Sequence, residues 1–180
     1  MAESARPRGE VAALVAIQTA LAHRPGALAA ARGLSYFGEH SLGWLAVSAL
    51  GALLQPQRWR AWLLVGAGAL TAHAAAVLIK RLVRRTRPGH PAVAVHVGTP
   101  SRLSFPSAHA TSTTAAAILL ARATGSPLPA VLVPPMALSR MLLGVHYPSD
   151  VAVGVALGAA VAGVAARIDG SPSMNSGAVR

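Results

Sequence analysis

Residues 61–88 read AWLLVGAGALTAHAAAVLIKRLVRRTRP. The stretch carries no charge as far as Ile79, and then five of the eight residues from Lys80 to Arg87 are basic. A helix needs roughly 20 apolar residues to cross a bilayer core, and basic side chains suit its polar edge. Four further runs, 34–54, 107–121, 128–145 and 151–168, are long and mostly uncharged. None alternates with a period of two, which disfavours a membrane β-barrel. The chain therefore reads as all-α, a polytopic transmembrane helix bundle of about five spans.

Details of the runs fit close packing. Gly154 and Gly158, and Ser112 and Ala116, recur at four-residue spacing and let helices approach one another. The run 107–121 is short and rich in Ser and Thr, which suits a helix packed inside the bundle. Pro134 and Pro135 are expected to kink the run 128–145.

Composition agrees with this reading. The 180 residues are 53% hydrophobic and only 12% charged, too apolar for a disordered chain and poor in charge for a soluble domain. The length allows one compact domain. Sixteen basic residues face five acids, for a net charge of +11. Because these cations border apolar spans without interleaved aromatics, they do not read as a nucleic-acid site. The absence of Cys excludes thiolate zinc sites and cysteine nucleophiles. Segment 11–22 is apolar but short, and reads as an amphipathic helix on the membrane surface. The expected organisation is an N-terminal segment 1–33, a transmembrane domain 34–168, and a Gly- and Ser-rich disordered tail 169–180.

Alternation of the spans brings three separated segments, 80–87, 106–109 and 140–150, to one face. Lys80 and Arg87 are two helical turns apart and point the same way if the helix continues to Pro88. His146 and Asp150 are four apart, close enough for the carboxylate to fix the imidazole tautomer. Ser107 to His109 follow Pro106 at a helix start, where free N–H groups favour an anion. Cations to neutralise phosphoryl oxygens, one imidazole to attack and another to protonate the leaving oxygen describe a phosphoryl-transfer pocket. A two-metal phosphatase needs several carboxylates, and this face offers only Asp150 and Glu39. A P-loop needs a Gly-rich run before its Lys, whereas Lys80 follows Val77, Leu78 and Ile79. Histidine chemistry with no cofactor and no metal is the expectation.

Three motifs stand in order: KRLVRRTRP from Lys80 to Pro88, Pro106-Ser107-Ala108-His109, and SRMLLGVHYPSD from Ser139 to Asp150. Together they resemble the signature of the type 2 phosphatidic acid phosphatase superfamily, shared with vanadium haloperoxidases. The resemblance implies that His146 is the nucleophile forming a phosphohistidine, with Asp150 orienting it. It implies that His109 protonates the leaving alcohol and later activates water. Lys80, Arg87, Arg140, Ser107 and the backbone N–H of Ala108 would hold the phosphate. Ala108 stands where the family usually has Gly, and still supplies an N–H. The implied activity is that of a metal-independent phosphoric monoester hydrolase acting on a lipid phosphate among the lipids of the plasma membrane, as a multi-pass protein.

Within the superfamily, SYFGEHS at 35–41 and GTPSRLSFPSAHATSTTAAA at 98–117 are similar to a mycobacterial branch of arabinan precursor synthesis. That similarity implies a decaprenyl-linked ribose 5-phosphate as substrate and decaprenylphosphoryl ribose as product. Polyprenyl pyrophosphate, phosphatidylglycerophosphate or phosphatidic acid would use the same residues. A non-catalytic lipid-binding protein would bind such lipids without turnover, and vanadate-dependent halide oxidation suits larger soluble enzymes.

Other polar residues have simpler readings. Arg81, Arg84, Arg85 and Arg102 read as headgroup-facing charges, His73 as a packed or hydrogen-bonded helix residue, and Trp44, Trp59 and Trp62 as packing or interfacial residues. Glu39 and His40 are candidates to line the pocket, because an acid at the start of a crossing helix is unfavourable unless used. Four arginines fall on each face outside the site, so charge sets no orientation. The sequence sets no oligomeric state and is compatible with a homo-oligomer.

Overall fold

The computed structural model describes residues 6–170. Among them run α1 (Gly9–Leu21), α2 (Ala27–Gly38), α3 (Leu42–Leu54), α4 (Trp59–Val83), α5 (Ala108–Thr124), α6 (Val133–Leu142) and α7 (Pro148–Gly170). The described residues contain no strand, only an antiparallel bridge between Thr86 and Leu103 in the loop from α4 to α5. From residue 171 the expected disordered tail lies outside the described residues.

Helix α5 is the centre of the bundle, packed against both α4 and α7. Its many hydroxyls are compatible with burial because they bond back to the helix itself. Thr111 Oγ1 donates to the Ser107 carbonyl and Thr114 Oγ1 to the Ala110 carbonyl, each at 2.8 Å. Thr113 Oγ1 accepts from the indole of buried Trp44 at 3.2 Å. Helix α7 lies close because of the two glycines singled out above: a Cβ on Gly154 would sit 2.8 Å from the Ser107 carbonyl oxygen, and one on Gly158 2.3 Å from that of Thr111.

Two helical segments, Pro56–Val83 and Pro148–Gly170, are long and apolar enough to cross a membrane. Only 39% and 22% of their apolar windows are buried inside the bundle, unlike the core helix of a soluble protein. Leu63, Leu70, Leu78, Val164 and Ile168 instead face outward. An apolar surface of that kind suits lipid rather than water.

The structure corrects several details. Run 34–54 is not one helix: the polar triplet Glu39–Ser41 forms a single 3-10 turn, with His40 at φ 48° and Ser41 at φ 62°, which breaks the hydrogen-bond ladder. Pro134 and Pro135 do not kink a helix midway. They sit in the first turn of α6, after the 3-10 stretch Leu128–Leu132, where their missing N–H groups leave no bond unmade. Helix α4 stops at Val83, capped by Arg84 at φ 57°, so Arg87 lies in the loop and not on its helical face. A helix forms over the N-terminal apolar segment as α1, with its apolar residues spread around it and not gathered on one face as expected. Gln18 fastens it to the protein: its amide nitrogen donates to the carbonyls of Ala94 at 2.6 Å and Leu142 at 3.0 Å.

Candidate active site

A cavity of about 350 Å³ opens at the end of the bundle where α4 and α6 finish and α5 and α7 begin. Lys80, Arg87, Ala108, His109, Arg140 and His146 all line it. Three chain segments therefore converge, although Arg87 arrives through a loop. Ser107 and Asp150 stand behind this lining and are fully buried. The Ser107 hydroxyl caps α5, accepting from the Ala110 N–H, and its own N–H donates to the Asp150 carbonyl at 2.9 Å.

Backbone carbonyls place Lys80 and Arg87, and a serine hydroxyl places Arg140. Lys80 Nζ donates to those of Ser104 and Pro106, both at 2.8 Å, and so ties the loop to the start of α5. Arg87 donates through Nε to Ser101 at 2.8 Å and through Nη1 to Val145 at 2.7 Å. Arg140 is buried and donates through Nη1 to the Ser35 hydroxyl at 2.7 Å, while its Nε has no partner among the described residues. A buried guanidinium N–H without an acceptor at a cavity is suited to an anionic oxygen.

The tautomers follow from the partners. Arg87 Nη1 lies 3.2 Å from His146 Nε2, and a guanidinium can only donate. Nε2 is therefore the acceptor, and the proton of the neutral ring sits on Nδ1. That Nδ1 faces Asp150 Oδ2 at 3.6 Å, outside hydrogen-bond range. The pair is thus looser than the four-residue spacing suggested, because both carboxylate oxygens are engaged elsewhere. Oδ2 accepts the Tyr147 N–H at 2.8 Å and Oδ1 accepts Arg85 Nη1 at 3.0 Å. Burial, and then the charges of Arg87, Arg140 and Lys80, hold the His146 ring well below the ordinary histidine range. Burial also lowers the Arg87 guanidinium to about 10, with Asp150 acting in the opposite direction.

Two residues in the site carried no such reading in the sequence. Arg85 is not a headgroup-facing charge: it binds Asp150, donates to the Ser149 hydroxyl at 2.7 Å and pairs with Glu10 of α1. Burial opposes its charge, but the Glu10 hydrogen bond and the Asp150 carboxylate raise its pKa overall. Ser35 of α2 contacts two motif residues, since its hydroxyl binds Arg140 and its carbonyl accepts His109 Nε2–H at 3.0 Å. His109 Nδ1 is thereby left to exchange a proton at the cavity. No spacing rule links residue 35 to residues 109 and 140, which are brought together only by packing. Glu39 and His40 also line the cavity, and so does His73, which was not expected there.

The profile of the PAP2 superfamily matches residues 60–171. The decaprenylphosphoryl-5-phosphoribose phosphatase of Mycobacterium tuberculosis is 71% identical over 170 residues, covering 94% of this chain and 96% of that protein. That of Mycolicibacterium smegmatis is 72% identical over 148 residues, 82% of each. Two crystal structures share the fold. The transmembrane PAP2-type phosphatidylglycerolphosphate phosphatase of Bacillus subtilis has a TM-score of 0.70 at 23% identity, over 88% of this chain and 85% of that one. Aquifex aeolicus LpxE has a TM-score of 0.68 at 17% identity, over 87% and 93%.

Proposed function

This chain belongs to the PAP2 superfamily, and on that premise we propose that it is a multi-pass phosphatase of the plasma membrane that removes the 5-phosphate of decaprenylphosphoryl-5-phosphoribose. Residues 34–168 make up the membrane-embedded phosphatase unit. The observation that carries the reading is the joint lining of one cavity by Lys80, Arg87, Arg140, His109 and His146, with the Nε2 lone pair of His146 turned to Arg87. The near-complete coverage of 71%-identical relatives with that printed activity supports the choice of lipid.

In the proposed reaction the scissile phosphate lies against Lys80, Arg87, Arg140 and the Ala108 N–H, which neutralise its oxygens. His146 Nε2 attacks phosphorus, and the bond from phosphorus to the ribose 5-oxygen breaks. That oxygen takes the proton from Nδ1 of His109, which enters the reaction as the imidazolium and is left neutral with its Nε2–H on the Ser35 carbonyl. Decaprenylphosphoryl ribose leaves. Water then attacks the phosphohistidine, passing a proton to His109 Nδ1, and inorganic phosphate departs with both imidazoles restored. Asp150 acts from behind His146, balancing the positive charge that develops on the ring. Ser107 acts by shaping the helix start and not by touching phosphate.

The test is phosphate release from decaprenylphosphoryl-5-phosphoribose and from phosphatidylglycerophosphate, using purified protein in detergent with a metal chelator. The ribosyl lipid is expected to turn over faster, through an acid-labile phosphoenzyme missing in His146→Ala. Loss of activity in chelator, or a phosphoenzyme retained in His146→Ala, would contradict the mechanism. Faster release from phosphatidylglycerophosphate would contradict the substrate.

A further inference from the structure

The phosphate-binding cations occupy only one part of the cavity. His73 lies seven residues before Lys80 on α4, two turns earlier and on the same face, so it sits about 10 Å along the helix towards the bilayer interior. Opposite it is the break between α2 and α3, where the His40 ring stands 5.9 Å from that of His73 and the His40 Nδ1 lies 3.9 Å from a Glu39 carboxylate oxygen. All three side chains line the same cavity as His109 and His146. Nδ1 of His73 is buried and has no hydrogen-bond partner among the described residues. His40 holds a left-handed backbone that a non-glycine residue adopts only when its surroundings enforce it. The side chains of Glu39 and His40 are 38% and 63% exposed, so they stand on the accessible side of the cavity, while His73 is half-buried. Nothing in the phosphoryl-transfer chemistry uses them.

The position limits what they could meet. In the proposed reaction His109 donates to the leaving oxygen, and it lines the same cavity as this cluster, so the leaving group is held in the space that the cluster borders. A carboxyl group and two imidazoles offer hydrogen-bond acceptors and donors side by side, which matches vicinal hydroxyls. We propose that Glu39, His40 and His73 form a sugar-binding subsite that hydrogen-bonds the hydroxyls of the furanose leaving group. The proposal rests on the reading of the reaction given above, and it assigns specificity to residues outside the three motifs. The ribose leaving group offers two free hydroxyls where that of phosphatidylglycerophosphate offers one, so it can bond more of the cluster, including the unpaired buried Nδ1 of His73.

The experiment measures binding of ribose 5-phosphate and of inorganic phosphate to the full chain in detergent, by calorimetric titration in the His146→Ala background, where turnover is blocked. Ribose 5-phosphate is expected to bind about tenfold more tightly than phosphate, a difference of roughly 1.4 kcal/mol. Glu39→Gln and His73→Phe, added singly, are expected to remove that preference while leaving phosphate affinity within about twofold. Phosphate binding in the same samples reports that the variants are folded. Equal affinity for both ligands, or a preference that survives both substitutions, overturns the subsite. Failure of the lipid assignment shows separately, as faster turnover of phosphatidylglycerophosphate by the unmodified protein.

Discussion

Arg85 reaches from the loop after α4 to place Nη1 3.0 Å from Oδ1 of Asp150, a carboxylate with no exposure to solvent. The same guanidinium binds Glu10, whose other oxygen accepts the Ser149 N–H at 2.8 Å. The N-terminal helix is thereby connected through Arg85 to the acid behind His146.

Removing Arg85 leaves that buried acid without its ion-pair partner, with the Tyr147 N–H still bonded to Oδ2. Arg85→Ala is expected to cost about 2 kcal/mol of stability, below the value for a fully buried pair because the Arg85 side chain is 31% exposed. Thermal unfolding in detergent measures this. Glu10→Gln should cost less and lower kcat with little change in KM, since it acts on the Arg85 guanidinium and touches no substrate. An unchanged kcat in both variants would detach α1 from the site.

The pH profile of kcat/KM follows from the environment of His146. Only the neutral ring can attack, and burial with three nearby cations depresses its pKa. Activity should therefore hold as pH falls through 6.5, the ordinary histidine value, and decline only below it. Arg87→Ala removes one of the cations and should move the acid limb to higher pH, as well as reducing the rate. For stability the sign is the same: the unfolded ring takes up a proton first, so the folded state loses stability as pH drops below the unfolded value and gains none above it.

The α5–α7 contact can be tested away from the chemistry. A Cβ at Gly158 would approach the Thr111 carbonyl oxygen to 2.3 Å, whereas one at Gly163 meets nothing within 4 Å. Gly158→Ala should destabilise by about 1–3 kcal/mol through overpacking. Gly163→Ala, on the same helix, should be neutral or slightly stabilising. Equal unfolding temperatures for the two variants would rule out the close approach.

Variants at Ser35 and Gly38 are expected to separate the proposed phosphate binding from the proposed proton transfer. Ser35→Ala deletes the hydroxyl that holds Arg140 but keeps the carbonyl that holds His109, so KM should rise by about five- to tenfold with kcat largely kept. A Cβ at Gly38 would fall 2.6 Å from Cδ2 of His109. Gly38→Ala should displace that ring and lower kcat. Steady-state kinetics on both variants decide the matter.

Long apolar runs, the order of the motifs and the small-residue spacing were legible without coordinates, because each is a local pattern along the chain. Hydrophobic length requires helices, and four-residue spacing puts Gly154 and Gly158 on one side of α7. The convergence of residues 80, 109, 140 and 146 on one face followed from alternating the spans. The break at His40 was hidden inside an apolar run, since a left-handed residue other than glycine carries no compositional mark. The end of α4 at Val83 was legible as the end of the apolar run 61–83, but the left-handed cap at Arg84 was not.

Side-chain partnerships across long separations were beyond the reach of the chain's order. Arg85 looked like any basic residue at a membrane edge, and only the docking of α1 beside α7 supplies Glu10 and Asp150 as its acceptors. Ser35 and His73 were likewise ordinary residues until α2 and α4 closed around the cavity. Residue types and their periodicity thus specified the bundle and the motif residues that its cavity brings together. Packing between distant segments selected the tautomers, the partners of Asp150 and the rest of the cavity lining, because hydrogen bonds depend on distances in space that no spacing along the backbone encodes.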